Sequence, residues 1–439
     1  KAPGYDRICH ATLKVLPIKA IIYIALIFNA ILRVQVFPRQ WKMAVIMMIH
    51  KPGKPEADPE SYRPISLLPS LSKLWERLLV KRINDIVRQG NILPDHQFGF
   101  RKGHGTVEQV HRLVKHILQA LDDCEYSNAV FIDMQQAFDK VWHVGLLCKI
   151  KTMLPAPYFC ILKSYLEGRE FKITVRNNYS TVYPMRAGVP QGSVLGPLLY
   201  SLYTADIPCP NFDHMEAPYK ALMATYADDI AVVYSSGDSR EAAKGLQEYI
   251  NALAAWCKRW NLKINATKTT NLCFTLKTLI KKTPPLQLEG VTLDQPLQAT
   301  YLGITLDKRL TFGPHLKNAV KKCGRRSQQL RWLMNRRNTL SLRCKRAVYA
   351  HCILPIWLYG IQIWGIAAKS NYKRIQVMQN RALRQITNCP WYVRNSTLHK
   401  DLNLYTVEEQ IGRHTSRYSD RLQSHSSLLA RRLIPARPL

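Results

Sequence analysis

The alternation of apolar and polar positions divides the chain into short strands and longer helices. Residues 41–49 (WKMAVIMMI) are apolar almost without a break and read as a buried strand, and residues 128–133 (NAVFID) have the same strand composition. Residues 225–234 (TYADDIAVVY) read as two short strands around a turn that carries two acids. Helical spacing marks residues 70–89, a second helix launched by Thr106, and residues 239–260. Thr106 and Gln109 have the spacing of a capping box. Residues 51–64 are Pro-rich and read as loop, while residues 188–207 start as a Gly/Pro loop and become an apolar helix. Short strands follow near Leu272 and Tyr301, and everything beyond about Phe312 reads as helical. The first 34 residues open on a Pro-Gly turn and continue as helix. Within them residues 20–32 (AIIYIALIFNAIL), between Lys19 and Arg33, are too short to span a bilayer and read as a buried helix.

A chain of 439 residues exceeds what one core fills, so two or three subdomains are expected, and 47% apolar residues suffice for their cores. Charge changes the picture. The 63 Lys and Arg against 30 Asp and Glu leave +33, a self-repulsion that a polyanion relieves, and nucleic acid is the obvious one. The excess is uneven: residues 311–439 hold 24 Lys and Arg against 4 Asp and Glu, and no acid occurs from residue 308 to residue 400. Solubility alone does not require so long an acid-free stretch, which points to phosphate binding. The 11 cysteines are scattered without a CxxC pair, which fits reduced thiols inside a cell, and no Cys/His knuckle is formed. His10, His50, His143, His315 and His351 are equally dispersed and read as ordinary surface or core histidines. The chain opens on Lys1 without a cleavable signal pattern and reads as an excerpt of a longer polypeptide.

The candidate chemistry lies in three acids. Asp228 and Asp229 occupy a turn between apolar neighbours, and Asp133 ends an apolar strand. Acids at a strand tip beside a core that does not tolerate unpaired charge need a cation. If the two strands lie side by side, the three carboxylates converge, and hard oxygen ligands of this kind suit Mg²⁺. Two such ions would activate a hydroxyl and stabilise a leaving pyrophosphate. Taken alone, an Asp-Asp pair is more simply a solvated hairpin turn, as Asp122 and Asp123 in their polar segment illustrate.

Order and context decide between those readings. FIDMQQAFDKVWH, then AGVPQGSVLGPLLYSLYTADIP, then YADD resemble the reverse transcriptase of non-LTR (LINE-type) retrotransposons, and among them the jockey-type elements of insects. The resemblance extends upstream through WKMAVIMMIHKPGKPEADPESYRPISLLPSLSKLWERLL and QFGFRKGHGT, and downstream through NLKINATKTT and YLGITLDKRLTFGPHL. It covers roughly residues 1–320, and PIWLYGIQIWG and IQVMQNRALRQITN continue it less specifically. The fold it implies is an α+β right-hand polymerase with fingers, palm and thumb, an antiparallel palm sheet and a helical, basic C-terminal region. The expected bounds are a helical extension at 1–34, fingers at 35–127, palm at 128–311, thumb at 312–370 and a basic helical region at 371–439.

The resemblance also assigns roles. It makes Asp133, Asp228 and Asp229 the catalytic ligands of two Mg²⁺ ions, with Mn²⁺ able to substitute. Phe138 matches the aromatic that lies under the sugar and excludes a 2′-hydroxyl, although a core aromatic is the alternative. Gln191, in the PQG turn, resembles the residue that touches the incoming nucleotide, with Gly192 letting the backbone approach it. Arg63 resembles the fingers arginine that grips the triphosphate, and Lys51 and Lys54 either join it or sit in a solvated loop. Lys268 matches a lysine that helps protonate pyrophosphate. Arg101 and Lys102 either touch template backbone or are exposed charges of a plain turn. The basic helices beyond Phe312, with Arg325 and Arg326, are expected to embrace the duplex, whereas Trp332, Tyr349, Trp357, Tyr359 and Trp364 read as core rather than as base-stacking residues. The implied activity is RNA-directed DNA synthesis from dNTPs on element RNA, primed by a nicked target DNA. It implies action in the nucleus after an RNA-bound stage in the cytoplasm. An endonuclease is expected on the N-terminal side, in the rest of the polypeptide. An inactivated nucleic-acid-binding remnant is the alternative, and an RNA-dependent RNA polymerase is a third reading that Phe138 opposes.

Overall fold

The computed structural model describes residues 2–176, 178–210, 221–277, 283–335 and 337–434. The chain forms two units, each assembled from segments far apart in sequence. Lys1–Phe100, Met134–Pro208 and Asn251–Asn265 make the first, and Arg101–Asp133, Cys209–Ile250 and Ala266–Leu439 make the second.

In the first unit the strand Met43–His50 lies between Tyr62–Leu67, antiparallel to it, and Glu170–Val175, parallel to it. Only Ala44, Val45 and Ile46 of the expected buried strand are fully covered. Met47 and Ile49 are exposed, because beyond Ile46 alternate side chains leave the core. The Pro-rich loop is also shorter than its composition suggests, since Tyr62, Arg63 and Pro64 already pair with the neighbouring strand. Tyr62–Leu67 is an edge strand, where a proline removes no ladder bond that a further strand would need. The helix Ser70–Gln89 has the predicted bounds and buries Trp75, Leu79, Ile83 and Val87, one residue per turn along a single stripe.

The apolar run at residues 20–32 does form a helix, Ile18–Val34, but not a buried one. Only Phe28 and Ile31 are covered, while Ile21, Ile22, Tyr23, Leu26 and Ile27 are exposed. A helix that is apolar all round can present only one side to the body it packs on, and here that side meets Trp41 edge-on through Phe28. No described helix is long and apolar enough to cross a membrane.

The second unit is built on a four-stranded antiparallel sheet in the order Ala221–Tyr226, Asp229–Ser236, Tyr126–Asp133, Thr270–Phe274. The helix Thr106–Asp122 lays Val110, Leu113, Val114 and Ile117 on Ala129, Phe131, Ala231 and Val233 of that sheet. The same core runs on into the C-terminal helices through Leu316, Tyr349, Trp357 and Trp364, which are packing residues as expected, whereas Trp332 and Tyr359, expected in the core as well, are exposed. Each large side chain buried there contributes roughly 1.5–3 kcal/mol, more than a surface ion pair does.

The capping box expected at Thr106 and Gln109 does not form. Gly105 caps the helix instead, and the Gln109 side chain donates to the Thr225 carbonyl at 2.9 Å and accepts from Arg112 at 2.7 Å. A fully buried amide is drawn to the sheet's carbonyl rather than back to its own helix end. The described capping box lies at Thr406 and Glu409, opening the helix Val407–Gln423.

Candidate active site

The register of the central sheet sets the geometry of the acids. Asp133 stands directly opposite Asp229 across the antiparallel pair. Because side chains alternate along a strand, Asp133 shares a face with Ala129 and Phe131, and Asp229 shares one with Ala231 and Val233. Both carboxylates therefore continue the apolar face one step beyond its last hydrophobic residue, and directly opposed residues have Cβ atoms about 4.5–5.5 Å apart. Tyr226 pairs with Asp229, which leaves Ala227 and Asp228 as a two-residue turn. Ala227 takes φ 59°, the sign such a hairpin demands, at a cost of roughly 1–2 kcal/mol for a residue with a Cβ. The sheet pairing on either side holds that strain at the turn that carries Asp228.

Electrostatics fit a cation site. Asp229 keeps a face open to solvent, yet protein crowds it. Desolvation first, then the charges of Asp228 and Asp133, push its carboxyl up to about 6. Lys268 Nζ lies 3.5 Å from Asp133 Oδ2, and the Asp133 backbone N–H donates to Thr269 Oγ1. Among the described residues no three His, Cys, Asp or Glu side chains are already closed around one point. The acids are thus neighbours in the sheet rather than a closed cage.

The first unit brings together Phe138, Gln191 and Gly192. The Gly188 N–H donates to Val141 O and the Val189 N–H to Phe138 O, both at 2.8 Å, so residues 188–191 lie along the turn after Asp133. Gly188, at φ 84°, is required there, since a Cβ would come within 2.6 Å of the Asp139 carbonyl oxygen. The Gln191 carbonyl accepts from Ser66 N–H at 2.7 Å. Gly192 has a sharper role than access for a nucleotide: at φ 113° its Cβ would sit 2.8 Å from Ser66 O, so glycine lets the loop close on the edge strand. Phe138 is half-buried, stacked on Tyr200 with centroids 4.6 Å apart and edge-on to Phe100.

Sequence reasoning passed over three residues of this region. Asp139, next to Phe138, receives the Gln191 amide N–H on both carboxylate oxygens, at 2.9 and 2.8 Å, and desolvation raises its pKa. Glu76 is fully buried and accepts from the Val194 and Leu195 N–H groups at 2.8 and 3.0 Å, just ahead of the helix Gly196–Tyr203. Ser72 donates to its other oxygen, and burial pushes its carboxyl up. Arg186 lines a 320 Å³ cavity together with Ser66, Gln136, Asp139, Pro190 and Gln191. An acid beside the motif aromatic was a usable signal for Asp139. Glu76 had none, because in sequence it is one more charge on an amphipathic helix.

The remaining candidates are placed as follows. Arg63 is exposed on the edge strand opposite Ile49. The Lys51 ammonium donates to the Glu60 carbonyl at 2.7 Å within its own loop, and Lys54 is exposed. Lys102 is exposed and Arg101 half-buried in a turn whose Gly103 carbonyl accepts from His425. Arg325 and Arg326 are exposed on the helix Gly313–Gln329, where Arg326 reaches Gln329.

Residues 49–306 match the reverse transcriptase (RNA-dependent DNA polymerase) family. Over all 439 residues the chain is 72% identical to the probable RNA-directed DNA polymerase from transposon BS of Drosophila melanogaster, covering 48% of that protein. It is 52% identical over 438 residues to the probable RNA-directed DNA polymerase from transposon X-element of the same species, again covering 48% of that protein. Over 433 residues it is 42% identical to the RNA-directed DNA polymerase from mobile element jockey of that species, covering 99% of this chain and 47% of the relative. The chain thus spans about half the length of the curated relatives it matches.

Proposed function

Because this chain belongs to the reverse transcriptase family, we propose that it is the RNA-directed DNA polymerase part of a jockey-like non-LTR retrotransposon protein, extending a DNA primer with dNTPs on an RNA template. The observation that carries this is the register that sets Asp133 opposite Asp229, with Asp228 at the adjoining turn. Two Mg²⁺ ions on these carboxylates would supply the Lewis acidity that activates a primer 3′-hydroxyl and offsets the charge of departing pyrophosphate. Lys268, beside Asp133, offers an ammonium from which a proton can pass to that pyrophosphate. As the family resemblance implies, Phe138 would lie under the sugar and Gln191 would touch the incoming nucleotide, while the exposed Arg63 and Arg186 offer guanidinium groups suited to phosphates. Priming from a nicked strand, and hence work at nuclear DNA with an endonuclease in the longer protein, is part of the same proposal.

Primer extension tests it. The protein should incorporate dNTPs on a primed homopolymer RNA in Mg²⁺, and Asp228→Asn should abolish synthesis while RNA retention on a filter stays unchanged. Extension by that variant at the parent rate would overturn the metal assignment.

A further inference from the structure

The loop between the helices Lys369–Thr387 and Asn395–Asp401 carries Trp391 and Tyr392 side by side. Trp391 is 88% exposed and Tyr392 70%, whereas the next most exposed described tryptophan, Trp332, is at 64%. The two rings stand edge to face with centroids 6.1 Å apart. This exposure does not come from a slack loop. Arg384 donates to the Pro390 carbonyl at 2.7 Å, to the Val393 carbonyl at 2.6 Å and to Asn395 Oδ1 at 2.9 Å, so one guanidinium clamps both ends of the loop. Asn388, at φ 54°, turns the chain out of the preceding helix.

The surroundings are cationic. Arg394 is exposed in the loop and Arg381 and Lys400 on the two helices that flank it, and the acid-free stretch runs to residue 400. Lys369, Lys373, Gln376 and Asn380 follow at three- and four-residue spacing along one helix face and line a 650 Å³ cleft, and Arg384 extends the same stripe to the aromatic loop. Glu408, the acid at that cleft, is paired with Lys369 at 3.3 Å. Exposed aromatic faces within an acid-free, basic segment fit a polyanion with accessible π-surfaces, and duplexes hide theirs.

We propose that Trp391 and Tyr392 are a stacking platform for unpaired bases of single-stranded nucleic acid, with Arg381, Arg394 and Lys400 engaging its phosphates. The site lies outside residues 49–306 and does not depend on the polymerase chemistry. It is tested on the 439-residue chain by fluorescence anisotropy with labelled oligouridine, oligodeoxythymidine and a blunt duplex across a salt series. The double variant Trp391→Ala and Tyr392→Ala should bind single strands about tenfold to hundredfold more weakly. Its salt slope should not change, because rings release no counterions. Duplex affinity should hold, and the Trp391→Phe, Tyr392→Phe pair should keep most of the single-strand affinity. Arg381→Gln with Arg394→Gln should instead flatten the slope. A loss confined to oligouridine assigns the platform to RNA, and an equal loss on oligodeoxythymidine assigns it to either strand. Unchanged single-strand binding by the alanine pair, or an equal loss on the duplex, would overturn the proposal.

Discussion

In the proposed function Phe138 would combine packing and selection in one side chain. Its ring is stacked on Tyr200 and braced by Phe100, yet it stays half-exposed, which is what a surface that must meet a sugar requires. Phe138→Val should therefore admit ribonucleotides, lowering the dNTP-to-rNTP incorporation ratio at least about tenfold, while trimming a partly buried ring costs roughly 1–3 kcal/mol. An unchanged sugar preference with normal folding would leave Phe138 a packing residue only. At this scale the sequence was informative: Asp133, Asp228 and Asp229 are visible as acids beside apolar strands, while Phe138 and Gln191 were marked only by the family resemblance. It could not show that Gln191 hands its amide N–H to Asp139, because that bond joins residues 52 positions apart.

Among elements, the loop at residues 188–195 shows how a flexible-looking sequence becomes a fixed one. It is tied to Phe138 and Val141 on one side, to Ser66 on another, and its end is held by the buried Glu76 carboxylate. Glu76→Ala would leave the Val194 and Leu195 N–H groups without their buried acceptor, and hydrogen bonds to a charged acceptor are worth about 1.5–3 kcal/mol. We expect it to lower unfolding free energy by about 2–4 kcal/mol in a denaturant titration and to raise the KM for dNTP. A loss below about 0.5 kcal/mol would mean that the loop holds without that carboxylate. Strands and long helices were legible because their apolar periodicity is local, as the predicted bounds of Ser70–Gln89 illustrate. The capping box at Thr106 was misread for the opposite reason: Gln109 bonds to Thr225, a partner 116 residues away.

For the whole molecule the governing quantity is charge, +33 in all, concentrated where acids are absent. Arg325→Gln with Arg326→Gln should weaken nucleic-acid binding and reduce the slope of log affinity against log salt by about one to two, since each phosphate contact contributes about 0.9. An unaltered slope would place those arginines outside the contact. The sequence by itself determined the strand and helix periods, the three acids and the basic excess, because each is a property of residue type and near neighbours. Tertiary structure alone decided the rest. It set Asp133 opposite Asp229, where register fixes which side chains meet. It turned the apolar helix Ile18–Val34 largely outward, because burial depends on what lies alongside and not on the helix's own composition. It also left Trp391 and Tyr392 exposed while Trp357 and Trp364 went into the core. An aromatic residue reads alike in either setting until its neighbours in space are known.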